Sequence, residues 1–286
     1  MLLLVLTLVW GTNWPLFPLA VREVSVWTFR AVALAIAGVA LLAVARWRGQ
    51  SLAVPRACWP TIGWATLFYL VLWNVATAYA AVMIPSGQAA ILGFTMPLWM
   101  VLISWAVLGE APPRRLMVAV GLGAMAVLLL MVQGLEAYAR APLGFALGLA
   151  AGLGWAIGTL ILKRAAVPVP ALVLTGWQVL LAAVPTAAGA LAFGEGPWFW
   201  PSWQTVAIIG YIALVPMGIG NAAWFAVVGL LPAQLAALSS ILVPVVAMIS
   251  GAVVHGEPLG PLQWGALLCC AGGLSLALVR PREPRT

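Results

Sequence analysis

The sequence predicts an all-α integral membrane protein of ten transmembrane helices, built as two inverted five-helix repeats. Three observations support this fold class. Hydrophobic residues make up 65% of the 286 residues and charged residues only 7%, whereas an ordinary soluble domain carries about 25% charged residues. Ten apolar stretches are long enough to cross a bilayer, which takes roughly 20 residues each. A fixed pattern of residues also occurs twice along the chain.

The repeated pattern contains one Asn, two Pro and a Gly-Glu pair. Each member of the second copy lies 147 positions after its partner, without a gap, and Ala89 and Ala90 match Ala236 and Ala237 in the same register. Such a register indicates a duplicated unit. The first copy contains Asn74, Pro85, Pro97, Gly109 and Glu110, and the second contains Asn221, Pro232, Pro244, Gly256 and Glu257.

Ten apolar spans follow one another with short loops between them. The predicted spans are 1–20, 25–45, 59–81, 85–108, 115–133, 142–163, 171–192, 203–228, 233–254 and 259–280. We assign residues 1–133 to the first repeat, 142–280 to the second and 281–286 to a cytoplasmic tail. The first span lacks a basic leader, so we expect it to remain as a helix rather than be cleaved as a signal peptide.

The basic residues lie mostly on one side of the membrane. Arg22 and Arg140 fall on the other side, and Arg30 lies inside a span. The positive-inside rule therefore places both termini in the cytoplasm. Because five spans separate equivalent positions, the repeats cross the membrane in opposite directions. The ten residues of the basic side are Arg46, Arg48, Arg56, Arg114, Arg115, Lys163, Arg164, Arg280, Arg282 and Arg285.

These features together resemble a known family. Five plus five inverted spans, the start Trp10-Gly11-Thr12-Asn13-Trp14 and the Pro-x11-Pro-x12-Glu ends of both halves are similar to the EamA family of the drug/metabolite transporter superfamily. The chain looks most like the bacterial amino-acid exporters of that family. The resemblance implies a central cavity between the halves, lined mainly by spans 1, 3, 4, 6, 8 and 9. It specifies the fold well and the substrate poorly.

Several aromatic and polar side chains are candidates for the substrate cavity. Trp10, Asn13, Trp14 and Phe17 recur at helical spacing on one face of span 1. Polar groups inside a membrane need partners, so each candidate could instead be a packing contact. In the other spans the candidates are Asn74 and Tyr79 in span 3, Gln88, Thr95 and Trp99 in span 4, Trp155 and Thr159 in span 6, and Trp224 in span 8.

Some residues admit two readings from the sequence. The matched Asn74 and Asn221 favour a structural role, as helix caps or cross-links, because both repeats retain them. Arg30 favours snorkelling towards the outer surface with Glu23 as its partner, and binding of a substrate carboxylate is the alternative. Its counterpart in the second repeat is the neutral Gln178. Ser239 and Ser240 remain ambiguous.

Prolines, glycines and cysteines predict local structure. Pro85 and Pro232 are expected to begin helices. Pro97 and Pro244 are expected to kink helices from within. Glycines four residues apart in span 6 predict a close-packing seam, and three free thiols are expected because the cysteines form no disulfide framework. The glycines are Gly144, Gly148 and Gly152, and the cysteines are Cys58, Cys269 and Cys270.

The sequence offers no catalytic set and no proton site. It contains no Asp and one His, His255, so an enzyme, a metal centre and a cofactor are not expected. No carboxylate lies within a span, so facilitated diffusion or exchange fits at least as well as proton coupling. A phosphate-bearing substrate would need cavity-facing basic residues. Lys163 and Arg164 lie at the cytoplasmic end of span 6, at the expected mouth of the cavity, and keep this alternative open.

We therefore predict an inner-membrane exporter of small amphipathic metabolites that works by alternating access. Amino acids with apolar or aromatic side chains are the expected substrates. A broad-specificity drug or metabolite exporter and a non-transporting membrane scaffold are the alternatives. The expected partners are the small-molecule substrate and the lipid bilayer, without nucleic acid, and a monomer is compatible with the sequence.

Overall fold

The computed structural model describes residues 2–194, 201–232, 236, 240, 242–255 and 260–278. These residues form helices joined by short turns, and no strand occurs among them. Glu195, Ala237, Ser239, Gly256, Glu257 and the tail 281–286 lie outside the described residues, as do Arg280 and the side chain of His255.

The helices follow the order of the predicted spans. In the first half they are α1 (Leu2–Gly11), α2 (Phe17–Ala20), α3 (Val26–Trp47), α4 (Trp59–Thr66), α5 (Trp73–Met83), α6 (Ser86–Gly93), α7 (Met96–Ala106) and α8 (Arg114–Arg140). In the second half they are α9 (Pro142–Ala165), α10 (Ala171–Phe193), α11 (Trp203–Ile212), α12 (Asn221–Leu230), α13 (Val243–His255) and α14 (Pro261–Leu278).

Eight helical stretches within the described residues are long and apolar enough to cross a membrane, and Val243–Val253 is a shorter apolar helix. The all-α membrane fold class is thereby confirmed, and the count of ten spans stays a prediction. Apolar side chains face outward along these stretches, for example Trp47 at 85% exposure and Leu191 at 77%. Such surfaces suit lipid rather than water.

The fifth span is longer than predicted. α8 continues past residue 133 to Arg140, and only Ala141 separates it from α9. An exposed Glu136–Arg140 ion pair of 3.1 Å lies one turn apart on this extension, in the arrangement that supports helical structure.

The fourth span is broken rather than kinked. α6 ends at Gly93, and α7 begins at Met96 with Pro97 in its first turn. The prediction that Pro97 lies within a continuous helix was therefore wrong. A first-turn proline lacks only an N–H that has no partner inside the helix. Pro244 occupies the corresponding place in α13, one residue after Val243.

Close packing holds α9 against the first half. A Cβ atom on Gly152 would lie 2.8 Å from the Gly93 carbonyl oxygen, and one on Gly158 would lie 2.7 Å from the Ala65 oxygen. Neither position accepts a larger residue without movement, so small residues let the backbones approach. The predicted seam therefore continues beyond Gly152, and it brings α9 to the centre of the molecule.

Two π-helical segments interrupt the third and eighth stretches. The first covers Leu67–Leu72 between α4 and α5, and the second covers Ala213–Gly220 between α11 and α12. Their positions correspond in the 147-residue register. Asn74 Nδ2 donates to the Leu70 carbonyl, and Asn221 Nδ2 donates to the Met217 carbonyl, each at 2.8 Å. Each side-chain amide thereby donates to a backbone carbonyl of the widened π-helical turn. Segments of π-helix often mark functional sites.

Candidate functional site

An aromatic cluster fills the centre of the molecule, and Trp155 of α9 is its hub. The Trp155 ring is 1% exposed and packs at 4.4–5.9 Å between ring centroids against five other rings, mostly edge to face. Such geometry is favourable beyond simple burial. The five rings belong to Trp10, Tyr69, Trp73, Phe94 and Trp224.

A narrow cavity lies beside this cluster. Five helical stretches contribute to it near their middles, and α3 contributes from near one end. Both halves of the chain supply walls, so the cavity lies between them. Its lining residues are Trp10, Asn13, Trp14, Phe17, Arg30, Tyr69, Leu70, Trp73, Asn74, Phe94, Trp155, Pro216, Met217 and Asn221.

The first wall comes from an irregular stretch of chain. α1 ends at Gly11, and Trp14–Leu16 forms a short 3₁₀ turn before α2. Trp10, Asn13, Trp14 and Phe17 nevertheless all line the cavity, as the predicted common face required. Trp10 is fixed because its indole Nε1 donates to the Pro216 carbonyl at 3.0 Å.

The two π-helical segments face each other across the cavity. Tyr69 Oη donates to Asn221 Oδ1 at 2.5 Å, and this contact joins the two halves. The position that corresponds to Tyr69 in the second half is Pro216, which has no donor side chain. Asn74 Oδ1 accordingly has no hydrogen-bond partner among the described residues. The symmetry is broken here, and the Asn74 oxygen is left as a buried acceptor at the cavity.

Arg30 points inward, so the expectation that it snorkels towards the surface was wrong. The side chain is 0% exposed and lines the cavity. Its guanidinium lies 4.1 Å from the centroid of the Phe17 ring and 4.7 Å from that of Phe29. Nη2 donates to Thr77 Oγ1 at 3.3 Å. Aromatic faces attract a buried cation and hold it in place.

Glu23, the expected partner of Arg30, is engaged elsewhere. Its carboxylate accepts hydrogen bonds from the Ser202 backbone N–H at 2.6 Å and the Ser202 hydroxyl at 2.8 Å, just before α11. The backbone N–H of Ser202 is the main reason why the pKa of Glu23 is lowered, and the hydroxyl adds to the effect. This contact ties the loop before α3 to the start of α11.

The side of the membrane on which α3 and α9 end and α8 begins carries most of the described basic residues, and we call it the basic side. Two contacts connect helix ends there. Arg164 at the end of α9 forms an ion pair of 2.5 Å with Glu110, which precedes α8. Lys163 Nζ donates to the Val228 carbonyl of α12 at 2.6 Å. Neither basic side chain lines the cavity in this conformation.

The structure brings four of the ten predicted site residues to the cavity. These are Trp10, Asn13, Asn74 and Trp155. Trp224 lies directly behind them, at 5.1 Å from the Trp155 ring and 5.8 Å from the Trp10 ring.

The other five predicted site residues do not line the cavity. Thr159 and Thr95 are buried in helix packing, and the Thr95 hydroxyl donates to the Leu92 carbonyl at 2.6 Å. Gln88 and Trp99 are half-buried. Tyr79 packs edge to face against Trp27. A role for these side chains in substrate binding stays a prediction without support from this arrangement.

Sequence reasoning missed Tyr69, Trp73, Phe94 and Met217 as cavity residues. Tyr69 and Asn74 are five residues apart and would face different directions on an α-helix. The π-helical segment turns them to the same side. The 147-residue register offered one signal for Tyr69 and Trp73. The second half has Pro216 and Gly220 at the corresponding positions, so the two halves differ there.

Among the described residues, no three His, Cys, Asp or Glu side chains come together as metal ligands. The three cysteines are not joined in disulfide bonds within the part of the chain that the structure describes.

The chain has relatives among known proteins. A family model described as the EamA-like transporter family matches residues 1–132 and 142–279. The uncharacterized inner membrane transporter YedA of Escherichia coli is 27% identical over 269 residues, which cover 93% of this chain and 85% of YedA. A probable amino-acid metabolite efflux pump of Salmonella typhimurium is 29% identical over 197 residues, 66% of each chain.

A solved crystal structure shares the fold. It superposes with a TM-score of 0.79 and covers 97% of this chain and 96% of its own, at 21% sequence identity.

Proposed function

The chain belongs to the EamA-like transporter family, and we propose that it exports small amphipathic metabolites, foremost amino acids with apolar or aromatic side chains. The observation that carries this proposal is the cavity around Trp155. Its walls combine closely packed aromatic rings with a few buried polar groups. Largely apolar pockets with a small number of placed polar groups are typical of sites for small organic ligands.

The direction and mode of transport are part of the same proposal. One relative is named a probable amino-acid metabolite efflux pump, which favours export. The 147-residue register and the contacts at the basic side favour alternating access between inverted repeats. In this cycle the contacts of Arg164 and Lys163 break when the cavity opens to the basic side.

We further propose that the basic side is cytoplasmic in a bacterial inner membrane and that both termini lie there. The excess of Lys and Arg in the loops of that side supports this orientation. A reporter that is active only in the cytoplasm should work when it is fused after Thr286. If only a reporter that is active outside the cytoplasm works at that position, the proposed orientation is wrong.

Solute flux in proteoliposomes tests the function. Purified protein is reconstituted and loaded in turn with radiolabelled phenylalanine, leucine, alanine and glutamate, with and without a pH gradient. We expect faster efflux than from empty liposomes for phenylalanine and leucine, and little for glutamate. Flux equal to that of empty liposomes for every solute would contradict the transporter function and favour a non-transporting scaffold.

A further inference from the structure

A positive charge is buried in the cavity wall without an acidic partner. Arg30 is fully buried, and no described carboxylate forms an ion pair with it. Glu23 is held by Ser202 instead. A guanidinium remains protonated in proteins, and burying an ion without a counter-charge is unfavourable. The aromatic faces of Phe17 and Phe29 offset this only in part.

The guanidinium also has unused donors. Nη2 donates to Thr77, whereas Nε and Nη1 are buried without an acceptor among the described residues. The Thr77 hydroxyl in turn donates to the Trp73 carbonyl at 2.7 Å, so it holds Nη2 against α5. A planar guanidinium with free N–H groups matches the geometry of a carboxylate.

Two buried acceptors line the same cavity. The amide oxygens of Asn13 and Asn74 have no donor among the described residues. Asn221 is satisfied by Tyr69, and Asn74 is not, because Pro216 occupies the matching position. An ammonium group has three donors and no acceptor. The amide oxygens therefore complement a primary amine as Arg30 complements an anion.

We propose that this cavity binds the zwitterionic head of an α-amino acid. Arg30 binds the carboxylate, Asn13 and Asn74 accept from the ammonium group, and the rings around Trp155 contact the apolar side chain. The inference rests on the proposed function and assigns its substrate class. An amine that lacks the carboxylate leaves Arg30 without a counter-ion, so we expect such compounds to bind poorly.

The test compares two fragments of one amino acid on the reconstituted protein. Exchange of radiolabelled L-phenylalanine is measured against rising concentrations of 3-phenylpropionate, which keeps the carboxylate, or 2-phenylethylamine, which keeps the ammonium. Loss of a hydrogen-bonded charged partner costs about 10-fold or more in affinity. We therefore expect 3-phenylpropionate to inhibit at a concentration at least about 10-fold lower than 2-phenylethylamine does.

Substitutions of Arg30 test whether this residue causes the preference for 3-phenylpropionate over 2-phenylethylamine. Arg30→Gln removes the positive charge and introduces a side chain of the type that the protein already buries fully at Gln178. This variant should lose the preference for 3-phenylpropionate. Arg30→Lys retains the charge and should retain part of the preference. Arg22→Gln, at an exposed loop position, is the matched control and should behave like the unmodified protein.

Different outcomes separate this inference from the function on which it rests. If the unmodified protein exchanges phenylalanine but both fragments inhibit equally, or if Arg30→Gln keeps the preference, the assignment of Arg30 is wrong and the transport function stands. If the unmodified protein exchanges no amino acid, the function and the assignment both fail. The fragment comparison on the unmodified protein needs no variant, so a variant that does not fold leaves the test intact.

Discussion

The Tyr69 hydroxyl donates a 2.5 Å hydrogen bond to the Asn221 amide oxygen, from one π-helical segment to the end of the other. The contact is buried and joins the two halves of the chain beside the cavity. The corresponding contact between Pro216 and Asn74 cannot form, because proline has no side-chain donor. The Asn221 oxygen is thus satisfied within the protein, whereas the Asn74 oxygen has no donor among the described residues.

Tyr69→Phe should destabilise the protein, because it leaves the buried Asn221 oxygen without its donor. We expect a loss of about 0.5–2 kcal/mol in the free energy of unfolding, within the range measured for buried hydrogen bonds and for those inside membranes. Unfolding in detergent micelles measures it. Tyr211→Phe, at an exposed position on α11, is the control, and equal effects in both variants would contradict a structural role for the buried contact.

Glu23→Gln should destabilise the protein near neutral pH but not in acid. The pKa of Glu23 is lowered from its ordinary value of 4.5, because its carboxylate accepts from Ser202. A lowered pKa in the folded protein means that the contact stabilises it above pH 4.5 and that this contribution is lost as the pH falls through the lowered pKa. Ser202→Ala keeps the backbone N–H that contributes most to the lowered pKa, so it should remove only the smaller part of this pH dependence, which comes from the hydroxyl.

The measurement for Glu23 is the thermal unfolding midpoint of the unmodified protein and of Glu23→Gln between pH 7 and pH 3. We expect the difference between them to shrink below the ordinary pKa of 4.5. A difference that is constant across this range would show that the carboxylate charge is not what stabilises the contact.

Linking residues 110 and 164 should stop transport. Their ion pair joins the two halves of the chain at the basic side, and the alternating access that we propose requires this contact to break. Glu110→Cys with Arg164→Cys, in a protein whose three native cysteines are replaced, is treated with a short bifunctional methanethiosulfonate reagent, which links the two thiols through reducible disulfides. We expect flux to fall to background and to recover on reduction.

The control for this linkage is Glu136→Cys with Arg140→Cys. Those residues are one turn apart on the same helix and also form an ion pair, so linking them constrains nothing between helices. Full transport by the linked 110–164 protein would contradict alternating access.

The sequence predicted the regular parts of this protein well. Span order follows from hydropathy, and a shared helical face placed Trp10, Asn13, Trp14 and Phe17 together because side chains at that spacing point in one direction. This prediction depends on local periodicity, and the 3₁₀ turn at Trp14–Leu16 departs from it little enough that all four side chains still line the cavity.

The irregular parts could not be predicted in this way. The π-helical turn before Asn74 changes the period, so Tyr69 reaches the cavity although α-helical spacing turns it away. Hydropathy gives the depth of Arg30 in the membrane but not the direction of its side chain. Phe17 and Phe29, which fix that direction, come together only in the folded chain.

The central claim is that substrate passes through the cavity around Trp155. Trp155→Ala removes the hub of the aromatic cluster, and ring contacts contribute about 0.5–1.5 kcal/mol beyond burial. Trp105→Ala removes an indole that is 60% exposed at the surface of the protein, and it serves as the matched control for expression and folding.

Efflux of radiolabelled phenylalanine and alanine from proteoliposomes is the most direct test of this claim. We predict that Trp155→Ala loses phenylalanine flux by about 3-fold to 10-fold relative to alanine flux, whereas Trp105→Ala keeps the ratio of the unmodified protein. An unchanged ratio in Trp155→Ala, with normal flux of both amino acids, would show that the substrate does not pass through this cavity.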